Sequence, residues 1–466
     1  MRVLLDSFKK SVFLFRRDLR VEDNTGLISA SRASEKVIPC FIQDPKFIKK
    51  SNPKYSEFRG QFMQDCLEDL DGQLHKVNSS LHLFQGETLS TLQKIIKKLK
   101  IDAVFVNTDY SPFGLSRDKK IQEMCKKEKI GFFSFEDQLL HVPESIKNGK
   151  DEPYKVFTAF YNKAKELPYR KVQNYKFENL ISEKTELTIP VSKLDDIFGK
   201  NNSMQAKGGR TEGLKLMKNL KNLKNYNQDR NFPALPGTSR LSAHNKFGTL
   251  SIREIYQECA DTLGVKHTIV SELHWRDFFI HLMYHYPYSY SKEFNKNFQK
   301  IKWDKDSEKF SKWKNGETGF PIVDAGMREL NQTGFMHNRV RMIVASFLTK
   351  DLHIDWRLGE QYFASKLVDY DPCVNTGCWQ WSASTGCDAQ PWFRIFNPWL
   401  QQAKFDPDCV YIKKWLPELS DVSPKVLHEL WKNFPSSIKY PKPIVEHKIE
   451  SDKSKSIFRS LTAATD

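Results

Sequence analysis

Residues Lys366 to Pro398 read KLVDYDPCVNTGCWQWSASTGCDAQPWFRIFNP. Three tryptophans and two closely spaced carboxylates fall within this one stretch, namely Trp379, Trp381, Trp392, Asp369 and Asp371. Helices at a protein surface rarely carry so much aromatic mass, and simple apolar cores rarely carry so many polar side chains. The mixture favours a site that holds a large planar ligand.

Long helical patterns with few strand signals surround this stretch, whereas the beginning of the chain alternates short apolar runs with helical patterns. The predicted strands are Ser11–Phe15, Val37–Ile42, Leu81–Phe84, Ala103–Val106 and Gly131–Phe135, with helices such as Glu57–Val77 and Thr88–Leu99 between them. This alternation predicts an α/β domain with a doubly wound parallel sheet, followed by a large all-α domain.

The chain divides into four predicted parts. The α/β domain spans residues 1–140, a polar and weakly periodic connector spans 141–205, the helical domain spans 206–440, and a charged tail that we expect to fray spans 441–466. No G-x-G-x-x-G follows the first predicted strand, where the sequence is RRDLRVEDN (Arg16–Asn24). An ordinary dinucleotide site is therefore not predicted in the α/β domain.

The composition favours a polyanionic partner, because 73 Lys and Arg against 57 Asp and Glu give a net charge of +16. Charge alone leaves a plain basic DNA-binding module open as a function. The eight cysteines form no C-x-x-C pair and have no histidine pair at zinc spacing nearby, so we expect free buried thiols and no metal site. No apolar run reaches the length of a membrane span, and charges interrupt the N-terminus early, so we expect a cytoplasmic monomer without an export signal.

Three further motifs have both a local and a functional interpretation. The hydroxyl-rich turn PGTSRLSAHNKFG (Pro236–Gly248) fits either a helix cap or a phosphate cradle at a helix N-terminus. In SELHWRDFF, Glu272 shares a helical face with Trp275 and lies four residues before Arg276, a spacing typical of an ion pair within a helix. In MHNRVRM (Met336–Met342), a buried arginine would need an anionic partner.

Taken together, these motifs resemble the photolyase/cryptochrome flavoproteins, and most closely the class I cyclobutane pyrimidine dimer photolyases. The match is dense from about Tyr226 to Leu419, and the N-terminal RRDLR (Arg16–Arg20) supports it. The resemblance implies flavin adenine dinucleotide (FAD) in the helical domain, fully reduced and anionic in the active form. The implied cofactor-binding residues are Tyr226, Thr238, Ser239, Arg240, Leu241, Ser242, Arg341, Asp369, Tyr370, Asp371 and Asn375.

The resemblance also implies light-driven repair of pyrimidine dimers in UV-damaged DNA, with the dimer flipped out of the duplex. The residues implied to contact the dimer or the DNA are Arg230, Glu272, Trp275, Arg276, Asn338, Trp381 and Gln401. Glu272, Asn338 and Met342 are implied as catalytic residues. Glu272 would hydrogen-bond the dimer, Trp275 and Trp381 would form two aromatic walls around it, and Asn375 would face flavin N5. A chain of tryptophans would carry electrons to the flavin, with Trp379 nearest, then Trp356, and Trp313 outermost.

Two points remain open in the sequence. The segments NTDYSPFGLSRD (Asn107–Asp118) and EDQLLH (Glu136–His141) look most like members that bind an 8-hydroxy-5-deazaflavin antenna, with Asp109 and Lys246 as candidate contacts. A folate, a flavin or an empty pocket are the alternatives. The main functional alternative is a cryptochrome-type blue-light receptor without repair activity, and a photolyase for the (6-4) lesion is disfavoured by the MHNRVRM run.

Overall fold

A computed structural model of the chain describes residues 8–194, 201 and 203–463. A five-stranded parallel sheet forms the centre of the N-terminal domain, with the strand order β3-β2-β1-β4-β5. Its strands are β1 Phe8–Phe15, β2 Ser34–Gln43, β3 His82–Gln85, β4 Ala103–Asn107 and β5 Gly131–Phe135. The five predicted strands are thus confirmed, with ends that differ by no more than three residues.

Helices cover both faces of this sheet, namely α1 Thr25–Ala33, α2 Pro45–Ile48, α3 Glu57–His75, α4 Thr88–Leu99 and α5 Pro112–Lys127. Successive residues of a strand point to opposite faces. In β1, Phe13 and Phe15 accordingly pack into one apolar core, while Val12 and Leu14 pack into the other. Burial on both faces explains why these strands appear in the sequence as short uninterrupted apolar runs.

Among its described residues, the connector contains the α-helix α6, Phe157–Glu166. Beyond this helix it pairs with the sheet through isolated bridges between Val37 and Leu180 and between Leu83 and Ile189. The connector therefore packs along the N-terminal domain before the chain enters the second domain.

The second domain is helical. Its helices are α7 Arg210–Lys218, α8 Tyr226–Asp229, α9 Ser242–Phe247, α10 Ile252–Leu263, α11 Thr268–His285, α12 Ser307–Asn315, α13 Pro321–Thr333, α14 Asn338–Ser346, α15 Trp356–Lys366, α16 Pro372–Ser382, α17 Pro398–Phe405, α18 Val410–Trp415, α19 Pro424–His428 and α20 His447–Ala463. A π-helical turn, Phe347–Asp351, follows α14 directly. Short 3₁₀ turns lie at Pro143–Ser145, Val191–Leu194, Leu220–Asn222, Pro287–Tyr290, Lys296–Lys300 and Pro417–Leu419. The predicted fold class, an α/β domain followed by an all-α domain, is confirmed.

The prediction of a fraying tail is wrong, because most of residues 441–466 form helix α20, which packs against the π-helical turn. His447 Nδ1 lies 2.5 Å from Asp351 Oδ1, and the Phe458 ring is only 2% exposed. The ammonium of Lys350 lies 3.5 Å from the centre of that ring. These contacts anchor both ends of the helix.

Other sequence expectations concern single side chains. All eight cysteines are free, but Cys378 is exposed rather than buried like the other seven. The part of the chain that the structure describes contains no group of three or more His, Cys, Asp or Glu side chains that could hold a metal ion. Among the described helices, none is both long enough and apolar enough to cross a membrane.

Candidate cofactor and DNA site

The phosphate-binding turn predicted at Pro236–Gly248 leads into the short helix α9. No side chain caps the N-terminus of this helix, so its first N–H groups are not occupied by a local side chain. Gly237 is required for the turn, because a Cβ there would lie 2.6 Å from the Asp229 carbonyl oxygen. Thr238 and Ser239 are half-buried, and Arg240 has a positive φ of 56°. An uncapped helix end that follows a hydroxyl-rich turn fits the pyrophosphate of FAD.

Asp369 connects three separate motifs at this site. Its carboxylate accepts hydrogen bonds from Arg341 at 2.9 and 3.2 Å and from the Ser242 hydroxyl at 2.7 Å. Arg341 also donates to the Met336 carbonyl at 2.7 Å. A fork of two parallel bonds fixes the plane of the guanidinium group. The residues implied for the cofactor in α9, α14 and the segment before α16 are thereby brought together.

Asn375 lies in the first part of α16 and is half-buried. Its amide nitrogen donates to the carbonyl oxygen of Glu360 at 3.2 Å and to the carboxylate of the same residue at 3.1 Å. Tyr370 reaches this glutamate too, with its hydroxyl 3.2 Å from the carboxylate. The amide oxygen of Asn375 remains as an acceptor, which fits a donor such as the N5–H of a reduced flavin.

Asp371 joins the two domains. Its carboxylate caps α16, accepting from the Cys373 N–H at 2.9 Å, and forms an ion pair with Arg17 of the N-terminal RRDLR motif. Burial opposes the charge of Asp371, but Arg17 and Lys246 hold the pKa of this carboxyl down at about 2. Asp371 therefore has a structural role at the domain boundary in addition to the cofactor contact implied for it.

The segment that follows Tyr226 contacts two helices on the expected DNA side of the site. Arg230 Nη1 lies 2.5 Å from Glu272 Oε1, so this segment binds the helix α11. The next residue, Asn231, accepts a hydrogen bond of 2.5 Å from Arg339 in α14. Burial raises the pKa of Tyr226 to about 12, which keeps its hydroxyl neutral beneath the Arg230 guanidinium.

Two residues of α14 expected at the dimer share one face of this helix. Asn338 is exposed at the first position of α14, and its amide nitrogen lies 4.0 Å from the sulfur of Met342. The spacing of four residues places both side chains on one stripe.

The two expected aromatic walls come from different helices, Trp275 from α11 and Trp381 from α16, and both indoles are half-buried. These helices pack closely because α16 has Gly377 against Phe279 of α11, where an added Cβ would overlap the ring. The spacing of the two helices that carry the walls is therefore fixed by direct contact.

The two remaining DNA candidates are Arg276 and Gln401. Arg276 does not pair with Glu272, although the spacing within the helix allows it. Its guanidinium donates instead to the Gln138 carbonyl at 3.0 Å and to Asp277 at 3.1 Å. Gln401 is half-buried in α17, one residue after Leu400, which is 67% exposed.

Trp379 and Trp356 are the two inner members of the expected electron path, and both are buried. Both are at most 2% exposed, and Gly359 of α15 packs on the Trp379 ring so closely that a Cβ would overlap it. The burial of Trp313 contradicts the prediction that it is the outermost tryptophan of this path. Trp313 is fully buried, lies 6.1 Å from Trp379 between ring centres, and donates its indole N–H to the Val344 carbonyl.

Trp303 is the residue that the sequence analysis missed. It is half-buried, and its indole N–H lies 3.4 Å from Glu293 Oε1, the same oxygen that accepts from the Trp356 indole at 3.3 Å. Glu293 is itself buried and paired with Arg357 at 2.7 Å. A tryptophan that is both accessible to solvent and joined to Trp356 is better suited than Trp313 to the outer position. Within the polar segment IKWDKD, no periodic signal marked it.

The candidate antenna residues lie at the domain boundary. Asp109 follows β4, and Arg17 Nη1 lies 3.3 Å from its carboxylate. Burial and the neighbouring Arg17 charge lower the pKa of Lys246 to about 7, although Asp371 and Asp109 oppose this shift. The carboxyl ends of parallel strands are where such sheets bind ligands.

Comparison with known proteins agrees with this geometry. Residues 11–176 match the family described as DNA photolyase, and residues 269–460 match the FAD binding domain of DNA photolyase. A deoxyribodipyrimidine photo-lyase of Alkalihalophilus pseudofirmus is 38% identical over 96% of this chain and 97% of its own length. The chain therefore belongs to the photolyase/cryptochrome family.

Solved structures show the same relationship. An archaeal photolyase from Sulfolobus tokodaii, solved with two FAD molecules and described as implying a novel light-harvesting cofactor, is 42% identical with a TM-score of 0.87 and covers 97% of this chain and 100% of its own. A cryptochrome from Synechocystis is 28% identical with a TM-score of 0.86, covering 98% and 100%. The predicted enzyme class, a deoxyribodipyrimidine photo-lyase, and the FAD-binding domain are confirmed by these matches, whereas membership of class I stays a prediction.

Proposed function

We propose that this protein repairs cyclobutane pyrimidine dimers in UV-damaged DNA by light-driven electron transfer. The observation that carries the proposal is the contact of one short segment, Arg230–Asn231, with both helices that hold the expected dimer contacts. It links Glu272 on α11 to Arg339 on α14, which is the residue next to Asn338. The net charge of +16 favours binding of the DNA backbone.

In this proposal the protein positions the dimer and excludes water. Trp275 and Trp381 stack on the flipped bases, since aromatic side chains hold bases without reading their sequence. The Glu272 carboxylate accepts a hydrogen bond from an N–H group of the dimer and so orients it. The Asn338 amide donates to the dimer and stabilises the negative charge that develops on it. Reduced FAD, when bound, supplies the electron for ring cleavage after blue-light excitation. The Arg341–Asp369 pair and the turn before α9 would hold this cofactor, and the Asn375 amide oxygen would be available to accept a hydrogen bond from it.

We infer that the reducing path runs through Trp379, Trp356 and Trp303. Glu293 accepts hydrogen bonds from the indoles of both outer members, so its carboxylate stabilises positive charge on either one. Trp313 is a packing residue in this scheme, because it is fully buried and its indole bonds a helix carbonyl.

A second chromophore would lie near Asp109 and Lys246 at the domain boundary. The deazaflavin suggested by the sequence remains a prediction, and the second FAD in the Sulfolobus tokodaii relative makes a flavin the competing candidate. Reconstitution of purified protein with each chromophore distinguishes them, because only a chromophore that binds adds its absorption band to the spectrum of the protein. This band should be absent from the Lys246→Met variant.

The cryptochrome alternative shares this fold, as the Synechocystis structure demonstrates, so the fold does not decide between them. The five side chains around the expected dimer position favour repair, namely Glu272, Trp275, Asn338, Met342 and Trp381. We also propose a cytoplasmic location with access to the chromosome.

The deciding experiment uses flavin-loaded, chemically reduced protein and an oligonucleotide with one thymine dimer. Blue light should restore thymine absorbance, while a dark control and an undamaged oligonucleotide should show no change. If the folded, flavin-loaded protein restores no absorbance, the repair proposal is wrong, and a signalling role becomes the better explanation.

A further inference from the structure

The expected substrate-stacking indole of Trp275 is supported from behind by the connector. The Phe157 ring stacks on it with ring centres 3.7 Å apart and planes 10° apart. Tyr161 stacks in turn on Phe157, at 5.6 Å and 8°, and the Lys165 ammonium lies 4.4 Å from the centre of the Tyr161 ring. A continuous column therefore runs from the wall of the site through α6 to the protein surface.

Phe157 is held in place by the segment that follows the other wall. Its backbone N–H, at the first position of α6, donates to Asp388 Oδ2 at 2.9 Å, and the Cys387 thiol donates to the Lys155 carbonyl at 2.9 Å. Asp388 lies six residues beyond the end of α16, and the turn folds back so that Gln390 N–H donates to the Trp381 carbonyl. The support of one wall is thus fixed to the backbone of the other.

This arrangement matters because an indole has two faces. The buried Phe157 ring stacks on one face of Trp275, and Phe278 and Phe279 contact the indole at an angle, with ring centres 5.7 and 5.6 Å away. The proposed function requires the other face to receive a base. Trp275 itself is only half-buried, so packing by its surroundings alone restrains it incompletely. Without an aromatic ring behind it, the indole could rotate into the vacated space, and the two walls would lose their fixed separation.

We propose that Phe157 is a positioning residue for lesion recognition, which holds the Trp275 wall at a fixed distance from Trp381 through its anchor Asp388. The inference rests on the proposed function, because it assumes that Trp275 stacks on the dimer. It assigns a role to the connector, for which the sequence predicted only a polar link between domains.

The test compares Phe157→Leu with Phe160→Leu, a matched control on the same helix. Phe160 is also buried, at 1% exposed against 8% for Phe157, but it packs on Phe278 and His281 rather than on Trp275. Dissociation constants are measured in the dark for a dimer-containing oligonucleotide and its undamaged counterpart. Because aromatic pairs contribute roughly 0.5–1.5 kcal/mol, Phe157→Leu should lower the preference for damaged DNA roughly two- to tenfold, with affinity for undamaged DNA unchanged. Phe157→Tyr should restore it, and Phe160→Leu should leave it unchanged.

A double-mutant cycle shows whether Phe157 acts through Trp275. In a Trp275→Leu background, Phe157→Leu should cause no further loss of preference. Asp388→Asn keeps both rings and should cause a smaller loss of the preference for damaged DNA. This variant tests the inference even if Phe157→Leu fails to fold. The inference would be overturned if Phe157→Leu caused the same loss of preference for damaged DNA in the Trp275→Leu background as in wild type. It would also be overturned if Phe157→Leu weakened the binding of both oligonucleotides equally. If the wild-type protein shows no preference for damaged DNA, the proposed function itself fails.

Discussion

Arg230 Nη1 and Glu272 Oε1 lie 2.5 Å apart, so the carboxylate expected to meet the dimer is already bound by an arginine from the neighbouring segment. The two side chains are 24% and 31% exposed, which leaves both accessible to DNA. A dimer that hydrogen-bonds Glu272 must share it with Arg230 or displace the guanidinium, which could then bind a phosphate. The pair thus connects lesion contact with backbone contact.

Glu272→Ala should lower repair per absorbed photon by about tenfold or more, because a hydrogen bond to a charged group contributes about 1.5–3 kcal/mol. FAD content should not change, since Glu272 lies outside the Arg341–Asp369 cluster. Repair yield under limiting light, with flavin absorbance measured in the same sample, checks both statements. Glu308→Ala removes a highly exposed glutamate and serves as the control. An unchanged yield in Glu272→Ala would contradict the role assigned to this residue.

Substitution of single tryptophans should separate the electron path from the packing. Trp379→Phe and Trp303→Phe should each remove most of the photoreduction of oxidised flavin by an external reductant. Trp313→Phe should preserve it, because Trp313 is fully buried behind Trp379 and lacks access to solvent. All three variants should still repair DNA when their flavin is reduced chemically. Fast photoreduction in Trp303→Phe together with a block in Trp313→Phe would restore the original order.

The sheet could be predicted from sequence because its strands are buried on both faces. A run such as Ser11–Phe15 has few other stable interpretations once helical patterns flank it. The pairing of Arg341 with Asp369 could be expected only from the resemblance, since the two residues are 28 positions apart. No local rule relates such distant residues.

Two features escaped prediction for physical reasons. Helix α20 buries Ser451, Ser454 and Phe458, and its anchoring partners are largely polar, so the segment appears in the sequence as a solvated tail. The exposure of Trp303 depends on the packing of Glu293 and of Trp356, and Trp356 is distant in sequence. Burial of a single tryptophan depends on such tertiary contacts and cannot be derived from its immediate neighbours.

Helix α20 should contribute measurably to stability. Phe458→Ala should lower the free energy of unfolding by about 3 kcal/mol or more. The substitution leaves a cavity in place of the buried ring and removes the aromatic contact of Lys350. Urea unfolding followed by circular dichroism measures the difference. Ile449→Ala on the same helix is the control, since Ile449 is 59% exposed and should change stability by less than about 0.5 kcal/mol. Equal stability of Phe458→Ala and wild type would mean that the helix does not dock.

The last prediction concerns Lys246 at the domain boundary, where burial and Arg17 lower the pKa of its ammonium to about 7. In the unfolded chain this pKa lies near 10.4, so between about pH 7 and pH 10 the unfolded state binds more protons. The lowered pKa therefore makes stability rise with pH across this window, and the contribution is lost as pH falls toward 7.

Lys246→Met should remove this rise, so that its unfolding free energy changes less than that of wild type between pH 7 and pH 9.5. Chemical unfolding at four pH values in this range provides the measurement, with flavin content held constant. Lys448→Met, at a highly exposed lysine, should retain the wild-type slope. If Lys246→Met and wild type have parallel slopes, the ammonium is not held in the buried charge cluster with Arg17, Asp109 and Asp371. A cationic residue other than Lys246 would then have to bind an anionic antenna chromophore.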